Sequence, residues 1–239
     1  MNPIGVVICN YNKKDFVLQC VQSVLESKEK NFDIYVVDNA SSDGSAEALK
    51  KAYGNRITVI ENKENLGGSG GFNTGLRIVR DKGYSYFMCL DDDAAVDENA
   101  LSVLYHYMEE HTDTGMAGCR VYHTQMSDYI QQSGLLIDFD NCTAKTIGAD
   151  MPEDGSLPDV IECDTVATCA VMVRADTVKQ KGVGIMPEDN FIYWDDMEWG
   201  YRIKLAGYRV VTLAEAKALH QMGANTKKEN TFINYYMWR

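Results

Sequence analysis

The sequence predicts an α/β fold in which helices flank a mostly parallel central sheet, with a small antiparallel excursion. Short apolar runs rich in β-branched residues alternate with amphipathic segments of helical spacing, and several of these runs end directly in polar residues. Strands that are apolar on both faces and separated by helices pair in parallel. With 239 residues, 45% of them hydrophobic, the chain is long enough for one domain with a sizeable core.

Five strands and four helices are predicted in the first half of the chain. The strands are the apolar runs at 4–9, 32–38, 56–61, 84–90 and 115–122. The helices are amphipathic or capped segments at 17–25, 41–54, 74–82 and 98–111, the second of which stops at Gly54. A glycine-rich loop is expected before the third helix.

The second half is less regular. Turn residues and short strand-like pieces predict the antiparallel excursion over residues 123–165, and an apolar run predicts a buried strand at 165–178. A helix is predicted from Trp194 to Ala206, with a stop at Gly207 and a strand after it. No repeat, low-complexity tract or linker divides the chain, so we expect a single domain over 1–239.

The composition excludes some classes of protein. A net charge of −12 argues against a nucleic-acid partner, which requires a basic face. The N-terminus lacks a secretory signal and no stretch reaches the roughly 18 apolar residues of a membrane span, so a cytoplasmic location is expected. The seven cysteines form no CxxC pair and most lie in apolar runs, which favours reduced core thiols over a zinc site or disulfides.

Polar residues follow the predicted strands at the point where each one ends. Asn10 to Asn12, Asp38-Asn39, Glu61-Asn62 and Asp91 to Asp93 all occupy such positions. Parallel sheets bind ligands beyond the carboxyl ends of their strands. We therefore expect these side chains to converge on one edge of the sheet and to form the functional site.

The run Asp91 to Asp93 is the most specific of these features. In an extended chain the carboxylates of Asp91 and Asp93 point the same way and can chelate one ion. Hard oxygen ligands suit Mg²⁺ or Mn²⁺. A solvated acidic turn that caps the following helix is the alternative. His220 enters only as a partner of such a metal site, whereas the other three histidines are expected to be structural.

Two further stretches could bind a nucleotide. Asp38 ends a buried strand, so its carboxylate could accept hydrogen bonds from a base or a ribose; turn formation is the alternative. The glycine-rich stretch 62–76 could let backbone approach a ligand and offer N–H donors at a helix start, or it could be a flexible loop. It matches neither the dinucleotide fingerprint nor the P-loop.

The segment "YWDDMEWGYR" puts Asp195 and Asp196 at a predicted helix N-terminus. The helix dipole favours ionised carboxylates there, so one of them could serve as a base. Trp194 and Trp199 are expected in the core or as a flat wall for a sugar ring. Glu198 and Arg202 at helical spacing predict a surface ion pair.

Five segments in this order resemble the inverting family 2 glycosyltransferases, whose nucleotide-sugar-binding fold is called GT-A. They are "VVICNYNKKDFVLQCVQSVLES", "VVDNASSDGS", "NLGGSGGFNTG", "CLDDDA" and "FIYWDDMEWGYRIKLAGYRV", and they cover nearly the whole chain. Among them, "NLGGSGGF" with "WDDMEWG" looks most like the bacterial galactofuranosyltransferase branch, and rhamnosyltransferases are close relatives.

The resemblance assigns roles to matching positions. It implies that Asp91 and Asp93 are the DxD ligands of a Mn²⁺ or Mg²⁺ ion, with His220 as the third ligand. It implies that Asp196 is the catalytic base. Asp195 remains the alternative, because Asp-Asp stands here where most relatives have Glu-Asp. The residues that would bind the donor nucleotide are Asn10, Asp38, Asn65, Gly67, Gly68, Gly70, Gly71 and Asp92.

The resemblance also implies an activity and its partners. The activity is metal-dependent transfer from a nucleotide diphosphate sugar, UDP-linked and of the UDP-galactofuranose type, to a hydroxyl of a bacterial cell-surface glycan or a lipid-linked glycan. Residues 1–122 would be the nucleotide-binding half and 123–239 the acceptor-side half. Such proteins usually continue beyond the position of "YYMWR", so a longer chain or a short member is expected.

Three alternatives to this activity stay open: a dTDP-rhamnose-dependent rhamnosyltransferase, a sugar-phosphate nucleotidyltransferase, and a non-catalytic nucleotide- or glycan-binding module. Peripheral contact with the inner face of the cell membrane and formation of a homo-oligomer also stay open.

Overall fold

The computed structural model describes residues 3–221, and four parallel strands form one side of its main sheet. They are β1 (Ile4–Asn10), β2 (Phe32–Asp38), β3 (Thr58–Glu61) and β4 (Tyr86–Asp91), in the spatial order β3-β2-β1-β4. Helices α1 (Lys14–Glu26), α2 (Ser45–Tyr53) and α3 (Gly67–Lys82) connect them. The alternation of strands and helices predicted from the sequence is confirmed.

The parallel strands end level with one another. In register, Asn10 of β1 lies opposite Asp38 of β2, Asp38 lies opposite Glu61 of β3, and Cys9 lies opposite Asp91 of β4. The polar residues that follow the strands therefore do converge on one edge of the sheet, as the sequence predicts.

The sheet becomes antiparallel beyond β4. There β12 (Ala170–Arg174) pairs antiparallel with β4 on one side and with β6 (Thr114–His123) on the other. The strands β7 (Met126–Gln132) and β10 (Met151–Pro152) extend this edge. The strands β8 (Leu135–Asp138) and β9 (Thr143–Thr146) form a separate hairpin. The predicted antiparallel excursion is confirmed.

A long last strand joins both parts of the chain. The strand β13 (Arg209–His220) runs parallel to β6 and antiparallel to β5 (Ala94–Val96) and β11 (Val160–Glu162). The remaining helices are α4 (Ala100–Glu110) and α5 (Asp195–Leu205). Strands from both predicted halves thus belong to one sheet, and residues 222–239 of the predicted domain lie outside the described part.

Two apolar cores cover the two faces of the sheet, because successive residues of a strand point to opposite faces. On one face, Val6 and Ile8 pack with the apolar sides of α1, α2 and α4. On the other, Val7 packs with Leu76 of α3 and with a cluster that includes Trp199 of α5. Each fully buried large apolar side chain contributes roughly 1.5–3 kcal/mol through this burial.

The glycine-rich stretch differs from its prediction. It is not a loop before a helix at Thr74, because α3 already begins at Gly67. A Cβ at Gly71 would collide with Cys9 Sγ, and one at Gly75 would lie 2.5 Å from Val7 Cγ1. The glycines let the helix axis approach β1 closely, and this packing outweighs their low helix propensity.

All seven cysteines lie in the described part and none is in a disulfide; five are buried, and Cys142 is exposed, which departs from the predicted core position. Within residues 3–221, no helix combines the length and apolar composition needed to cross a bilayer.

Candidate active site at the carboxyl edge of the sheet

Three of the predicted site residues come together as a possible metal site. Asp91 ends β4, Asp93 lies in the turn that follows, and His220 ends β13. His220 Nε2 lies 3.2 Å from Asp93 Oδ1 and 3.7 Å from Asp91 Oδ2, and one ligand atom from each residue lies within 4.8 Å of the others. Long-range pairing makes this possible, because β13 pairs with β5 and brings His220 opposite Ala94.

The chemistry of this cluster fits a divalent cation. Asp93 is 8% exposed, and no group within residues 3–221 donates a well-aligned hydrogen bond to its Oδ1, although His220 Nε2 is near. An unsatisfied buried carboxylate oxygen is costly, and a cation would satisfy it. Burial also raises the pKa of Asp91, which opposes an uncompensated negative charge there. Two carboxylates and one imidazole are a suitable ligand set for Mn²⁺.

A lysine that the sequence analysis missed neutralises part of the aspartate run. Lys13 Nζ donates to Asp92 Oδ1 at 2.9 Å and to Asp93 Oδ2 at 2.6 Å, while the Tyr11 N–H donates to Asp92 Oδ2 at 3.0 Å. Burial raises the pKa of Asp92 to about 6 even beside this ammonium. For Asp93, burial acts in the same direction, but His220 and Lys13 outweigh it and lower the pKa.

Lys13 explains how three consecutive aspartates fit at the end of a buried strand. It also gives Asp92 contacts inside the protein, whereas the resemblance assigned Asp92 to the donor. The signal was present in the sequence: Lys13 lies three residues after the end of β1, and β1 is the neighbour of β4 in any sheet with this order.

The acidic pair lies in the same pocket as one of the metal-site carboxylates. Asp195 and Asp196 open α5 and line a pocket of about 480 Å³ together with Asp91. Burial raises the pKa of Asp195 to about 6. Burial and the neighbouring charge of Asp195 raise the pKa of Asp196 to about 7. A carboxylate with such a pKa can both accept and hold a proton near neutral pH.

The pocket wall opposite the sheet is a short loop with unusual backbone angles. Phe191, Tyr193 and Trp194 have φ values of 60°, 66° and 67°, in the left-handed region that non-glycine residues rarely adopt. Ile192, Tyr193 and Trp194 line the pocket, whose other side includes Leu135 and Ala144 of the β8–β9 hairpin. Such strain persists only where the surrounding structure holds it, and it often marks functional sites.

Tight packing holds the start of α5 in place. Thr165 Oγ1 donates to the Asp196 carbonyl at 2.7 Å, and a Cβ on Gly200 would collide with Thr165. Trp199 is fully buried and donates to the Gly184 carbonyl at 3.1 Å. Trp199 therefore belongs to the core, whereas Trp194 lines the pocket.

The ion pair predicted on α5 is also present. Glu198 and Arg202 form it one turn apart, on the exposed side of the helix.

The predicted nucleotide edge is formed by Asn10 and Asp38. Asp38 is 3% exposed; Asn10 Nδ2 donates to its Oδ1 at 2.8 Å, and the Ser41 N–H donates to its Oδ2 at 3.0 Å. Asn10 Oδ1 is buried and has no hydrogen-bond partner among the described residues. Asn10 Oδ1 is therefore a hydrogen-bond acceptor without a partner among these residues, and it lies beside Asp38, the residue that was predicted to bind a base.

The first glycines of α3 are used differently from their prediction. The Gly67 N–H donates to Asn65 Oδ1 at 2.9 Å, and the Gly68 N–H donates to the Phe191 carbonyl at 2.7 Å. Both N–H groups are engaged inside the protein, so they are not the free donors that were predicted, although Gly68 itself lines the pocket. Gly70 and Gly71 are buried, and Gly71 faces β1 rather than a ligand.

Asn39, which the sequence analysis names among the polar residues after the strands but to which it gives no role of its own, organises this loop. It is 2% exposed, and its Nδ2 donates to Asn65 Oδ1 at 2.9 Å and to the Gly67 carbonyl at 2.8 Å. Its Oδ1 accepts from Asn62 Nδ2 at 3.0 Å and from the Leu66 N–H at 3.1 Å. Its position directly after β2 is the only signal that the sequence offers for it.

Comparison with known proteins gives the family to which this fold belongs. Residues 5–172 match the Glycosyl transferase family 2. Because this match covers more than half of the chain, the protein belongs to that family. The predicted family is confirmed.

Curated relatives from bacteria are similar over part of the chain. The teichoic acid poly(glycerol phosphate) polymerase of Staphylococcus epidermidis is 26% identical over 146 residues, which are 59% of this chain and 19% of that protein. The UDP-Glc:α-D-GlcNAc-diphosphoundecaprenol β-1,3-glucosyltransferase of Escherichia coli is 30% identical over 109 residues, 46% and 42% of the two chains. The chain thus spans less than half the length of these relatives.

Solved structures share the fold over nearly the whole chain. The mannosyltransferase from Pyrobaculum calidifontis in complex with GDP-Man and Mn²⁺ has a TM-score of 0.67 at 16% identity, covering 93% of this chain and 58% of that one. The structure of Staphylococcus aureus TarS residues 1–349 with UDP-GlcNAc has a TM-score of 0.67 at 15% identity, covering 95% and 61%. The predicted GT-A fold is confirmed.

Proposed function

We propose that the chain is the catalytic domain of an inverting glycosyltransferase that moves a sugar from a nucleotide diphosphate donor to an acceptor hydroxyl. The observation that carries the proposal is the sharing of one pocket: Asp91 of the metal cluster and the acidic pair Asp195 and Asp196 line the same cavity. Inverting transfer needs a base on one side of the anomeric carbon and stabilisation of the leaving diphosphate on the other.

The leaving-group side of the site would be the cluster of Asp91, Asp93 and His220. These residues would hold Mn²⁺ or Mg²⁺, and the imidazole favours Mn²⁺, since Mg²⁺ strongly prefers oxygen ligands. When bound, the ion would neutralise charge that develops on the departing diphosphate. The mannosyltransferase and a GalNAc-T7 structure with UDP, GalNAc and Mn²⁺ support this choice of ion.

The base in this proposal is Asp196. With a pKa raised to about 7, its carboxylate is ionised in a large fraction of molecules at neutral pH, yet basic enough to take the proton of an attacking hydroxyl. The Met197 N–H donates to Asp196 Oδ1 at 2.7 Å and holds the carboxylate at the helix start. Asp195 contributes by raising the pKa of its neighbour, and it is the second candidate for the base.

The donor is proposed to be a UDP-sugar. The imide N–H of uracil would satisfy the unpaired Asn10 Oδ1 beside Asp38. Relatives and neighbours named with UDP-Glc, UDP and UDP-GlcNAc support this nucleotide. Thymine presents the same imide, so a dTDP-sugar such as dTDP-rhamnose is the alternative, and UDP-galactofuranose rests on the motif resemblance.

The acceptor is proposed to be a hydroxyl of a bacterial surface glycan. The names of relatives in teichoic acid synthesis and of one that acts on a diphosphoundecaprenol-linked sugar support a polymeric or lipid-linked acceptor. The apolar pocket wall at Ile192 to Trp194 offers a flat surface for a sugar ring.

The variant Asp196→Asn tests the assignment of the base. It should keep its fold and its Mn²⁺-dependent binding of UDP, measured by thermal shift, because it replaces one oxygen by an isosteric group. Transfer should fall by about 10²-fold or more, since the base is lost. Glu198→Gln, on the same turn of α5 but exposed, is the matched control and should retain activity.

Two results would contradict the proposal. Near-normal transfer by Asp196→Asn together with a large loss in Asp195→Asn would move the base to Asp195. Release of pyrophosphate rather than nucleoside diphosphate from the true donor would identify a nucleotidyltransferase instead.

A further inference from the structure

The metal-facing histidine makes a second, well-defined contact through its other ring nitrogen. His220 Nδ1 lies 2.7 Å from Gln131 Oε1, and Gln131 Nε2 donates to the His220 carbonyl at 3.2 Å. Gln131 lies on β7 and is 7% exposed. The side-chain amide therefore holds the histidine at two points, from a strand that carries none of the proposed metal ligands.

The two contacts fix the direction of the amide and so the proton on the ring. A flipped amide would set its oxygen against the His220 carbonyl oxygen, and two acceptors repel each other. With the observed orientation, Gln131 Oε1 is an acceptor, so His220 Nδ1 must carry a proton and donate it. In the neutral ring Nε2 then has its lone pair exposed.

That lone pair points into the acidic cluster. Nε2 lies 3.2 Å from Asp93 Oδ1 and 3.7 Å from Asp91 Oδ2. Three electron-rich atoms converge there, an arrangement that a bound cation, or a proton on Nε2, stabilises. The tautomer imposed by Gln131 is thus the one that can bind a metal through Nε2.

We propose that Gln131 is a positioning residue that holds His220 as an Nε2 metal ligand. This inference rests on the proposed metal site at Asp91, Asp93 and His220. Partners of this kind orient a ligating histidine, and losing them weakens metal binding by about 10–100-fold. Gln131 makes no contact with the metal or the substrate in this proposal and acts only through the ring.

Three variants and one direct measurement test the role. Gln131→Met has a similar length but cannot accept the Nδ1 proton, whereas Gln131→Glu keeps an acceptor oxygen. Gln132→Met is the matched control, because the Gln132 side chain donates to Cys169 Sγ at 3.5 Å and makes no hydrogen bond to His220. The affinity for Mn²⁺ is measured by the electron paramagnetic resonance signal of free Mn²⁺, and folding is checked by urea unfolding in the metal-free state.

We expect the three variants to differ in their affinity for Mn²⁺. Gln131→Met should weaken Mn²⁺ binding by about 10–100-fold. Gln131→Glu keeps the acceptor for Nδ1 but loses the donor to the His220 carbonyl, so it should weaken binding less than Gln131→Met. Gln132→Met should stay within about threefold of the wild type. Nitrogen-15 spectra of His220 with diamagnetic Mg²⁺ should show a protonated Nδ1 in the wild type and a loss of that preference in Gln131→Met. A purely structural role of the glutamine would not move this signal.

The failures are distinguishable. Unchanged Mn²⁺ affinity in Gln131→Met overturns the role of Gln131 and leaves the metal site standing. Equal weakening in Gln131→Glu, or in Gln132→Met, also overturns it, because the loss would then come from packing of β7. No Mn²⁺ binding by the wild type overturns the metal site and the role of Gln131 together.

Discussion

The ammonium of Lys13 should contribute far more to stability than an ordinary surface charge, and the variant Lys13→Met measures that contribution. Lys13 Nζ lies 2.9 Å from Asp92 and 2.6 Å from Asp93, and the three side chains are 18%, 7% and 4% exposed. Methionine keeps most of the length and the apolar stem but leaves two buried carboxylates without this partner.

The expected loss follows from these distances. Two unit charges about 3 Å apart attract by roughly 5 kcal/mol at an effective dielectric constant of about 20. Part of that attraction offsets the cost of taking the ammonium out of water, which the variant avoids. Removing one partner of a buried ion pair costs about 3–5 kcal/mol, and we expect a decrease of that size in the free energy of unfolding.

Urea unfolding in EDTA, followed by tryptophan fluorescence, gives the free energy by linear extrapolation. The melting temperature should fall by roughly 6–20 °C, because each kcal/mol shifts it by about 2–4 °C in a chain of this size. Lys14→Met is the matched control: Lys14 is exposed and its Nζ lies 3.5 Å from the Asp43 carbonyl oxygen, so its loss should cost less than about 0.5 kcal/mol.

The pH dependence provides a second check with a definite sign. Burial raises the pKa of Asp92 in the folded protein to about 6, above its ordinary value, so protonation favours the folded state. Removing Lys13 raises that pKa further. The difference between the variant and the wild type should therefore be largest above about pH 7 and should shrink as the pH falls. Equal stability of Lys13→Met and Lys14→Met at high pH would refute the reasoning.

Other properties of the site and the fold can be tested in the same preparations. The turnover number should rise with pH through about 7, because burial and Asp195 raise the pKa of Asp196 to about 7 and a base must be ionised to act; a flat profile across that range contradicts the assignment. EDTA should abolish transfer, and Mn²⁺ should restore it more fully than Mg²⁺, measured as released nucleoside diphosphate; undiminished transfer in EDTA would exclude the metal. Gly71→Ala should lower the free energy of unfolding by about 1–3 kcal/mol through collision with Cys9, whereas Gly68→Ala, with 3.8 Å to the nearest atom, should not.

The sequence predicts the parts of the site that lie at strand ends. Asp38 and Asp91 are recognisable because a buried apolar run stops at a carboxylate, and parallel pairing then sets both at one edge. The helix start at Asp195 is similarly visible from its acidic first turn. For these three residues, the local sequence pattern and the overall fold predict the same position.

Residues whose role depends on distant pairing were harder to predict. Lys13 and Asp92 are far apart in the chain and meet because β1 and β4 are neighbours. Gln131 reaches His220 across 89 positions, and nothing in its own segment distinguishes it from Gln132. His220 was singled out only because a metal site had been predicted at Asp91 and Asp93, and the family resemblance then made it the third ligand; a lone histidine carries little information.

The extent of α3 could not be predicted for a different reason. Five glycines between Gly67 and Gly75 indicate a loop on propensity alone. The structure makes this stretch helical because small residues permit close contact with β1 on one side and with the Phe191 backbone on the other. Packing partners decide the outcome, and these are not visible in a local window.

The position of β4 in the sheet has a mechanical consequence. It pairs in parallel with β1 on one side and antiparallel with β12 on the other, so the parallel and antiparallel parts of the sheet are joined by backbone hydrogen bonds through one strand. Hinge bending between the two parts would break these hydrogen bonds. Asp91 ends this strand, so its backbone is held from both sides, and under the proposed function any adjustment to substrate would fall to the loops at this edge.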